Sequence, residues 1–221
     1  MLLLAFDTAT PAVTVALHDG ARPVAQESAV DARRHGELLA VAIDKVLRSV
    51  GAEPGDLTGV AVGTGPGPYT GLRAGLVTAR VLGSALGIRV DGICTLDVIA
   101  AVAVPQAAGR EFLVATDARR KELYWARYSA LGGRLTGPDV CPAAELPVGE
   151  LAGGLPVAGE GALLYPGLEA EPIEPRYPAA SQLAALAAER IAAGTPAAPP
   201  EPLYLRRPDA REPGRPKRVT P

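Results

Sequence analysis

Five small residues, Gly71, Gly75, Ala79, Gly83 and Gly87, recur at every fourth position after the segment Gly63-Thr64-Gly65-Pro66-Gly67-Pro68-Tyr69. Spacing of four puts them along one face of a helix. Thr70 is the expected N-cap, and the helix is expected to reach about Leu86, with Gly87 ending it. A glycine inside a helix costs about 1 kcal/mol relative to alanine, so the stripe needs a compensating contact. A surface without side chains lets another backbone lie close. Two occupants satisfy that requirement: a helix of a partner chain, or the protein's own sheet. Val60-Ala61-Val62 before the helix and the run Ile88 to Ile93 after it read as strands, giving a strand–helix–strand crossover.

The same reading extends to the rest of the chain. Leu2-Leu3-Leu4-Ala5-Phe6 is a continuous apolar run, the pattern of a strand buried on both faces. Asp7-Thr8-Ala9-Thr10-Pro11 turns the chain, Val13 to Leu17 forms a second strand, and Arg22 to Ser28 returns as a third after the Asp19-Gly20 turn. From Arg33 to Val50, Leu38, Leu39, Ala42, Ile43, Val46 and Leu47 keep the spacing of an amphipathic helix, and Gly51 suits its C-terminal cap. A short helix from Thr95 or Asp97 reaches Val104. Pro105 to Arg110 reads as a boundary, followed by strands Phe112 to Thr116 and Glu122 to Tyr128. Leu135 to Pro156 is broken by Gly and Pro, Val157 to Gly161 resembles a strand with a glycine turn, and Ser181 caps an alanine-rich helix that stops at Gly194. Hairpins mixed with crossovers specify an α/β fold. The expected units are residues 1–104, residues 105–202, and a basic Pro-rich tail over 203–221.

Charge and cysteine content exclude several function classes. The 221 residues carry a net charge of −2 and are 48% hydrophobic, which excludes a disordered chain. The near-neutral balance argues against bulk electrostatic wrapping of nucleic acid. Residues 203–221 do hold a net +4, so the tail is either a solvated appendage or a phosphate-seeking arm. Cys94 and Cys141 offer neither a disulfide framework nor a zinc knuckle. The N-terminus lacks a basic n-region and no run is long enough to span a bilayer, so a cytoplasmic protein without a membrane segment is expected.

Few residues can carry chemistry. Asp7, Thr8 and Thr10 form the kind of turn in which a carboxylate holds a cation and hydroxyls meet phosphate oxygens, as in actin-like ATPases. Ala9, Thr10 and Pro11 stand where phosphate loops favour glycine, so a vestigial nucleotide loop or a plain turn is the alternative. The Gly63–Gly71 segment lacks the Lys-Ser/Thr of a phosphate-binding loop and reads as a stiff connector. His18 and His35 are the only histidines, and Leu39 stands one helical turn after His35, so no metal-ligand pair is available. The strand around Tyr124, Trp125 and Tyr128 could stack bases, although one packed face explains it equally. Neither a catalytic residue nor a metal ligand is expected.

The segments Phe6-Asp7-Thr8-Ala9-Thr10, Gly65-Pro66-Gly67-Pro68-Tyr69-Thr70-Gly71-Leu72-Arg73, Asp117-Ala118-Arg119-Arg120 and Tyr204-Leu205-Arg206-Arg207-Pro208 together resemble the TsaB family of tRNA threonylcarbamoyladenosine biosynthesis. The likeness runs in order along nearly the whole chain. It implies a two-lobed actin-like ATPase (ribonuclease H-like) fold with mixed sheets flanked by helices. It also implies a non-catalytic dimerisation subunit that works with the paralogous transferase TsaD and the ATPase TsaE, with tRNA as substrate of the complex. ATP and metal would then belong to the partner subunits and this chain would hold no cofactor. The catalytic paralogue carries two metal-binding histidines one turn apart, where this chain has His35 and Leu39. Partner contact is expected through the first two helices, at His35, Leu39, Ala42 and Val46 and at the stripe Gly71, Gly75, Ala79 and Gly83, with a homodimer as an alternative. A second functional reading is an actin-fold ATPase or small-molecule kinase using Asp7.

Overall fold

In the computed structural model, which describes residues 1–147, 154–168 and 170–206, the chain opens with β1 (Leu3–Asp7), β2 (Ala12–His18) and β3 (Pro23–Val30). They form an antiparallel meander in which Asp7 sits opposite Thr14 and Thr14 opposite Ser28. Two crossovers follow. α1 (His35–Ser49) leads to β4 (Gly59–Gly63), and α2 (Tyr69–Leu86) leads to β5 (Arg89–Ile93). Both strands add in parallel, giving the order β3-β2-β1-β4-β5. α3 (Thr95–Ala103) then enters a second sheet of β6 (Phe112–Arg119), β7 (Glu122–Tyr128), β8 (Arg134–Pro142), β9 (Pro156–Ala158) and β10 (Glu171–Ile173). Its order is β10-β9-β6-β7-β8, with the short α4 (Gly161–Leu164) after β9. α5 (Ala180–Ala192) is the last helix. This is the expected two-lobed actin-like arrangement of two mixed sheets flanked by helices.

The apolar run at the start is continuous because both faces of β1 are covered. Leu4 and Phe6 pack with Leu39 and Val46 of α1 and Leu72 and Leu76 of α2. Leu3 and Ala5 face the other way, onto Leu183, Ala184 and Ala187 of α5. The second sheet repeats the pattern. Phe112 and Val114 pack on Leu96 and Ile99 of α3, while Leu113 and Ala115 meet Leu146 and Leu155 on the far side. α3 and α5 therefore form a helical layer between the sheets. Period-two alternation sorts each strand's side chains into separate cores.

The structure adjusts several expectations. α5 packs on the first sheet although its sequence follows the second, so residues 180–192 join the unit expected over residues 1–104. Thr70 does not cap α2; Pro68, extended at φ −60° and ψ 138°, precedes its first turn. Ser181 lies inside α5, whose N-cap Ala179 offers no side chain to the free amides. β8 escaped the sequence pattern because Gly137 and Pro138 interrupt it and its register with β7 shifts. Gly87 at φ +65° and Gly194 at φ +67° do close their helices in the left-handed conformation. Residues 203–206 of the expected tail are ordered against the fold, Leu203 N–H donating to Thr64 O at 2.9 Å. The rest of that tail, 207–221, lies outside the described residues. Among the described residues no helix is long and apolar enough to cross a membrane.

Candidate functional site

The carboxyl end of β1 places Asp7 beside the N-terminus of α3. One Asp7 oxygen accepts the Ala9 amide at 2.7 Å and the other accepts the Thr95 hydroxyl at 2.6 Å. Thr95 Oγ1 in turn accepts the Gly65 amide at 3.1 Å. Asp7 is fully buried, and a Cβ on Gly63 would collide with its carboxyl group. Burial pushes the Asp7 pKa up, opposed by the hydrogen bonds from Thr95 and Ala9 and by the nearby His35. Both carboxylate oxygens are thus spent inside the protein. The sequence pattern marks Thr95 only as a helix start; its role as the tie to Asp7 carries no local signal.

The neighbouring Thr8 hydroxyl is spent too. Thr8 Oγ1 donates to Gly71 O at 2.7 Å and accepts the Gly75 amide at 3.1 Å. His35 Nε2–H donates to Thr10 O at 2.9 Å, and its ring lies where a Gly71 side chain would project. A Cβ on Gly67 would strike Ala9 O. The turn therefore sits directly on the start of α2, and the small residues there make room for it. Thr8, Thr10, His35, Thr70 and Gly71 line a cleft of about 150 Å³ with Arg119 at its edge. Small-molecule sites typically hold about 300–1,000 Å³, so this cleft is small for a nucleotide.

The stripe is occupied by the protein itself. A Cβ on Gly71 would come within 2.5 Å of Thr8 O, and one on Gly75 within 2.5 Å of Thr8 Oγ1. Gly83 is closed by Val90, and Ala79 is wholly buried. His35, Leu39 and Val46 are likewise buried, and Ala42 packs at the edge of the same core. Of the two occupants open to the stripe, the sheet fills it. The surface these helices leave exposed is the opposite one, with Val41 on α1 and Val77 and Val81 on α2.

Two further motif segments join the turn. The Tyr69 and Tyr204 rings lie 4.7 Å apart, and Arg73 stacks over both while its Nε donates to the Tyr204 hydroxyl at 3.1 Å. The Tyr69 hydroxyl donates to Arg206 O at 2.8 Å, and Arg206 reaches Ala118 O at 3.1 Å and Glu122 at 3.3 Å. Residues 195–206 thus strap the first lobe to the β6–β7 turn. That turn holds Arg119, Arg120 and Lys121 at φ +65°, +56° and +65°. Left-handed backbone costs a non-glycine residue about 1–2 kcal/mol. The Asp117 carboxylate steadies the turn by accepting the Arg119 amide at 2.8 Å and pairing with its guanidinium at 3.2 Å. All four motif segments meet here, although residue spacing assigns no role to Tyr69, Arg73, Tyr204 or Arg206.

A family model described as TsaD, tRNA N6-adenosine threonylcarbamoyltransferase, matches residues 28–198. The tRNA threonylcarbamoyladenosine biosynthesis protein TsaB of Escherichia coli is 30% identical, over 93% of this chain and 95% of that protein. The chain belongs to the TsaB/YeaZ family. An uncharacterized protein of Mycobacterium tuberculosis H37Rv is 43% identical over 95% of this chain and 93% of its own length. The structure of YeaZ from Pseudomonas aeruginosa superposes with a TM-score of 0.75 at 28% identity, covering 92% of this chain and 99% of that one. His35 faces Thr10 O, Leu39 is in the core, and among the described residues no three His, Cys, Asp or Glu side chains gather closely enough to hold an ion.

Proposed function

We propose that this chain acts in tRNA threonylcarbamoyladenosine biosynthesis as a non-catalytic scaffold. In this reading it is required for threonylcarbamoyl transfer to N6 of the adenosine beside the anticodon in tRNAs reading codons that begin with A. Membership of the TsaB/YeaZ family supports the pathway. The observation that carries the scaffold role is the buried Asp7 carboxylate, both of whose oxygens are taken by Ala9 and Thr95. A carboxylate that holds a cation needs an open oxygen edge, and this one has none. The ATPase or kinase reading depends on that same carboxylate and gains nothing from its geometry.

The partners in this proposal are the paralogous transferase TsaD and the ATPase TsaE, which bring the metal and ATP. The tRNA is the substrate of the cytoplasmic complex. The surface for TsaD is the outer face of α1 and α2, where Val41, Val77 and Val81 are 55–60% exposed. A second copy of this chain would use the same face in a homodimer. Exposed apolar side chains clustered on one face are the usual mark of an association site.

Reconstituted transfer with purified TsaD and TsaE, with and without this chain, tests the proposal. Transfer should require the chain and should persist with Asp7→Asn, provided that variant is folded. Magnesium-dependent ATP hydrolysis by the isolated protein, lost in Asp7→Asn, would overturn it. For the surface, Val77→Asp with Val81→Asp should abolish co-elution with TsaD at an unchanged melting temperature. Retained co-elution would reject that face.

A further inference from the structure

The strap from Thr195 to Arg206 is held unevenly along its length. Its base is fixed. The fully buried Asp91 accepts from the Arg89 guanidinium and from the Ala198 amide, and Gly92 N–H donates to Ala198 O at 2.9 Å. A Cβ on Gly92 would come within 2.6 Å of Pro199 O, so the strap lies directly on β5. Its end is held more lightly. Tyr204 is 42% exposed and meets the first lobe through the Tyr69 ring and Arg73. Arg206 then brackets the β6–β7 turn, reaching Ala118 O just before it and Glu122 just after it.

That turn is strained. Arg119 stands opposite Glu122 in the register, which leaves Arg120 and Lys121 as a two-residue hairpin connection. Both have positive φ, as does Arg119. Connections of this kind favour Asn-Gly or Asp-Gly, and longer side chains adopt them at a cost. The second lobe holds the turn through the Asp117 carboxylate and through the Ala143 amide, which donates to Lys121 O at 2.8 Å. Arg206 adds a hold from the strap.

We infer that residues 204–206 are a latch on a two-state turn. Closed, the latch keeps the left-handed turn in place, with Arg119 at the edge of the cleft lined by Thr10 and Gly71. Open, the turn relaxes and withdraws its cations from that edge. The strap contacts favour the closed state and relief of the left-handed backbone favours the open one. Tyr204 rests on α2 and Arg206 holds the turn, so a change at one end of the latch is felt at the other. The latch does not depend on the scaffold role.

Hydrogen exchange of the full chain, read amide by amide, tests the latch. The Arg119 amide is the reporter, because the Asp117 carboxylate accepts it at 2.8 Å in the closed turn. Arg206→Ala should quicken its exchange about tenfold while amides of β4 keep their rates. Tyr204→Ala, a change at the α2 end, should quicken it to the same degree. The double variant should be no faster than the faster single one, because both changes release the same element. With Arg120→Gly and Lys121→Gly in place the left-handed backbone carries no penalty, so Arg206→Ala should then alter the Arg119 amide by less than about twofold. An Arg119 amide indifferent to Tyr204→Ala, effects that multiply in the double variant, or an Arg206→Ala effect that survives the glycines would each overturn the latch.

Discussion

Gly75→Ala isolates the fit between α2 and the Asp7 turn. In a free helix the substitution would stabilise by about 1 kcal/mol. Here the new Cβ would lie 2.5 Å from Thr8 Oγ1. Carbon and oxygen need about 1 Å more, so Thr8 has to move. Its hydroxyl is fixed by the bonds to Gly71 O at 2.7 Å and from Gly75 N at 3.1 Å. Breaking both in a buried setting costs about 1–3 kcal/mol for the groups left unmet. Adding steric strain and subtracting the propensity gain leaves a net loss of about 2 kcal/mol. For a chain of this size that lowers the melting temperature by roughly 4–8 °C. On a Thr8→Ala background the obstacle is gone and the propensity gain returns, so the same substitution should stabilise by up to about 1 kcal/mol. Thermal and urea unfolding of the two single variants and the double variant complete the cycle. A neutral Gly75→Ala in the wild-type chain, or an equal penalty in both backgrounds, would refute the packing argument and return the stripe to a partner helix.

Asp7→Ala leaves the Ala9 amide and the Thr95 hydroxyl without an acceptor and should cost about 2–4 kcal/mol in urea unfolding. Asp7→Asn should cost less, and its comparison with wild type should depend on pH. Burial raises the folded-state pKa of Asp7 above the ordinary carboxylate value, so the folded chain holds this proton more tightly than the unfolded one. Its contribution to stability is therefore complete below the unfolded value and is lost as pH rises through the folded one, so the wild-type advantage over Asn should shrink on going from acid to neutral pH. Tyr69→Ala removes the ring under Tyr204, and an aromatic pair is worth about 0.5–1.5 kcal/mol. Hydrogen exchange of the Leu203 amide should therefore quicken about three- to tenfold while amides of β1 stay unchanged. Lys121→Gly relieves one left-handed position in the β6–β7 turn and should raise stability by about 0.5–1 kcal/mol, read by thermal unfolding.

Elements set by local pattern were legible in the sequence. β7 runs from Glu122 to Tyr128 as expected, and α2 ends at Leu86 because Gly87 takes the left-handed cap. Elements set by distant partners were not. β8 is held by pairing to β7 despite Gly137 and Pro138, and residue spacing alone had no way to report that pairing. The N-caps failed for a related reason. Thr70 and Ser181 are good cap residues by type, yet the backbone turns into each helix two positions earlier, at Pro68 and Ala179. The strap was least visible of all, since the Tyr69–Tyr204 contact joins residues far apart in sequence.

The Asp7 turn shows how a motif can keep its residues while its donors go elsewhere. In an open phosphate loop, glycine keeps amides free and a carboxylate faces water or a cation. Here Pro11 contributes no amide, Ala9 N–H is bound to Asp7, and Thr8 serves Gly71 and Gly75. Each commitment depends on α2 lying against the turn, which in turn depends on Gly67, Gly71 and Gly75 having no side chains. The glycine stripe and the closed turn are therefore one structural feature seen from two sides. Widening the small cleft at the turn by withdrawing α2 would expose Leu72 and Leu76 from the core they share with Phe6. Exposing two leucines costs about 3–6 kcal/mol on burial alone, comparable to the stability of many whole domains. That cost is what holds α2 against the turn and keeps the cleft there small.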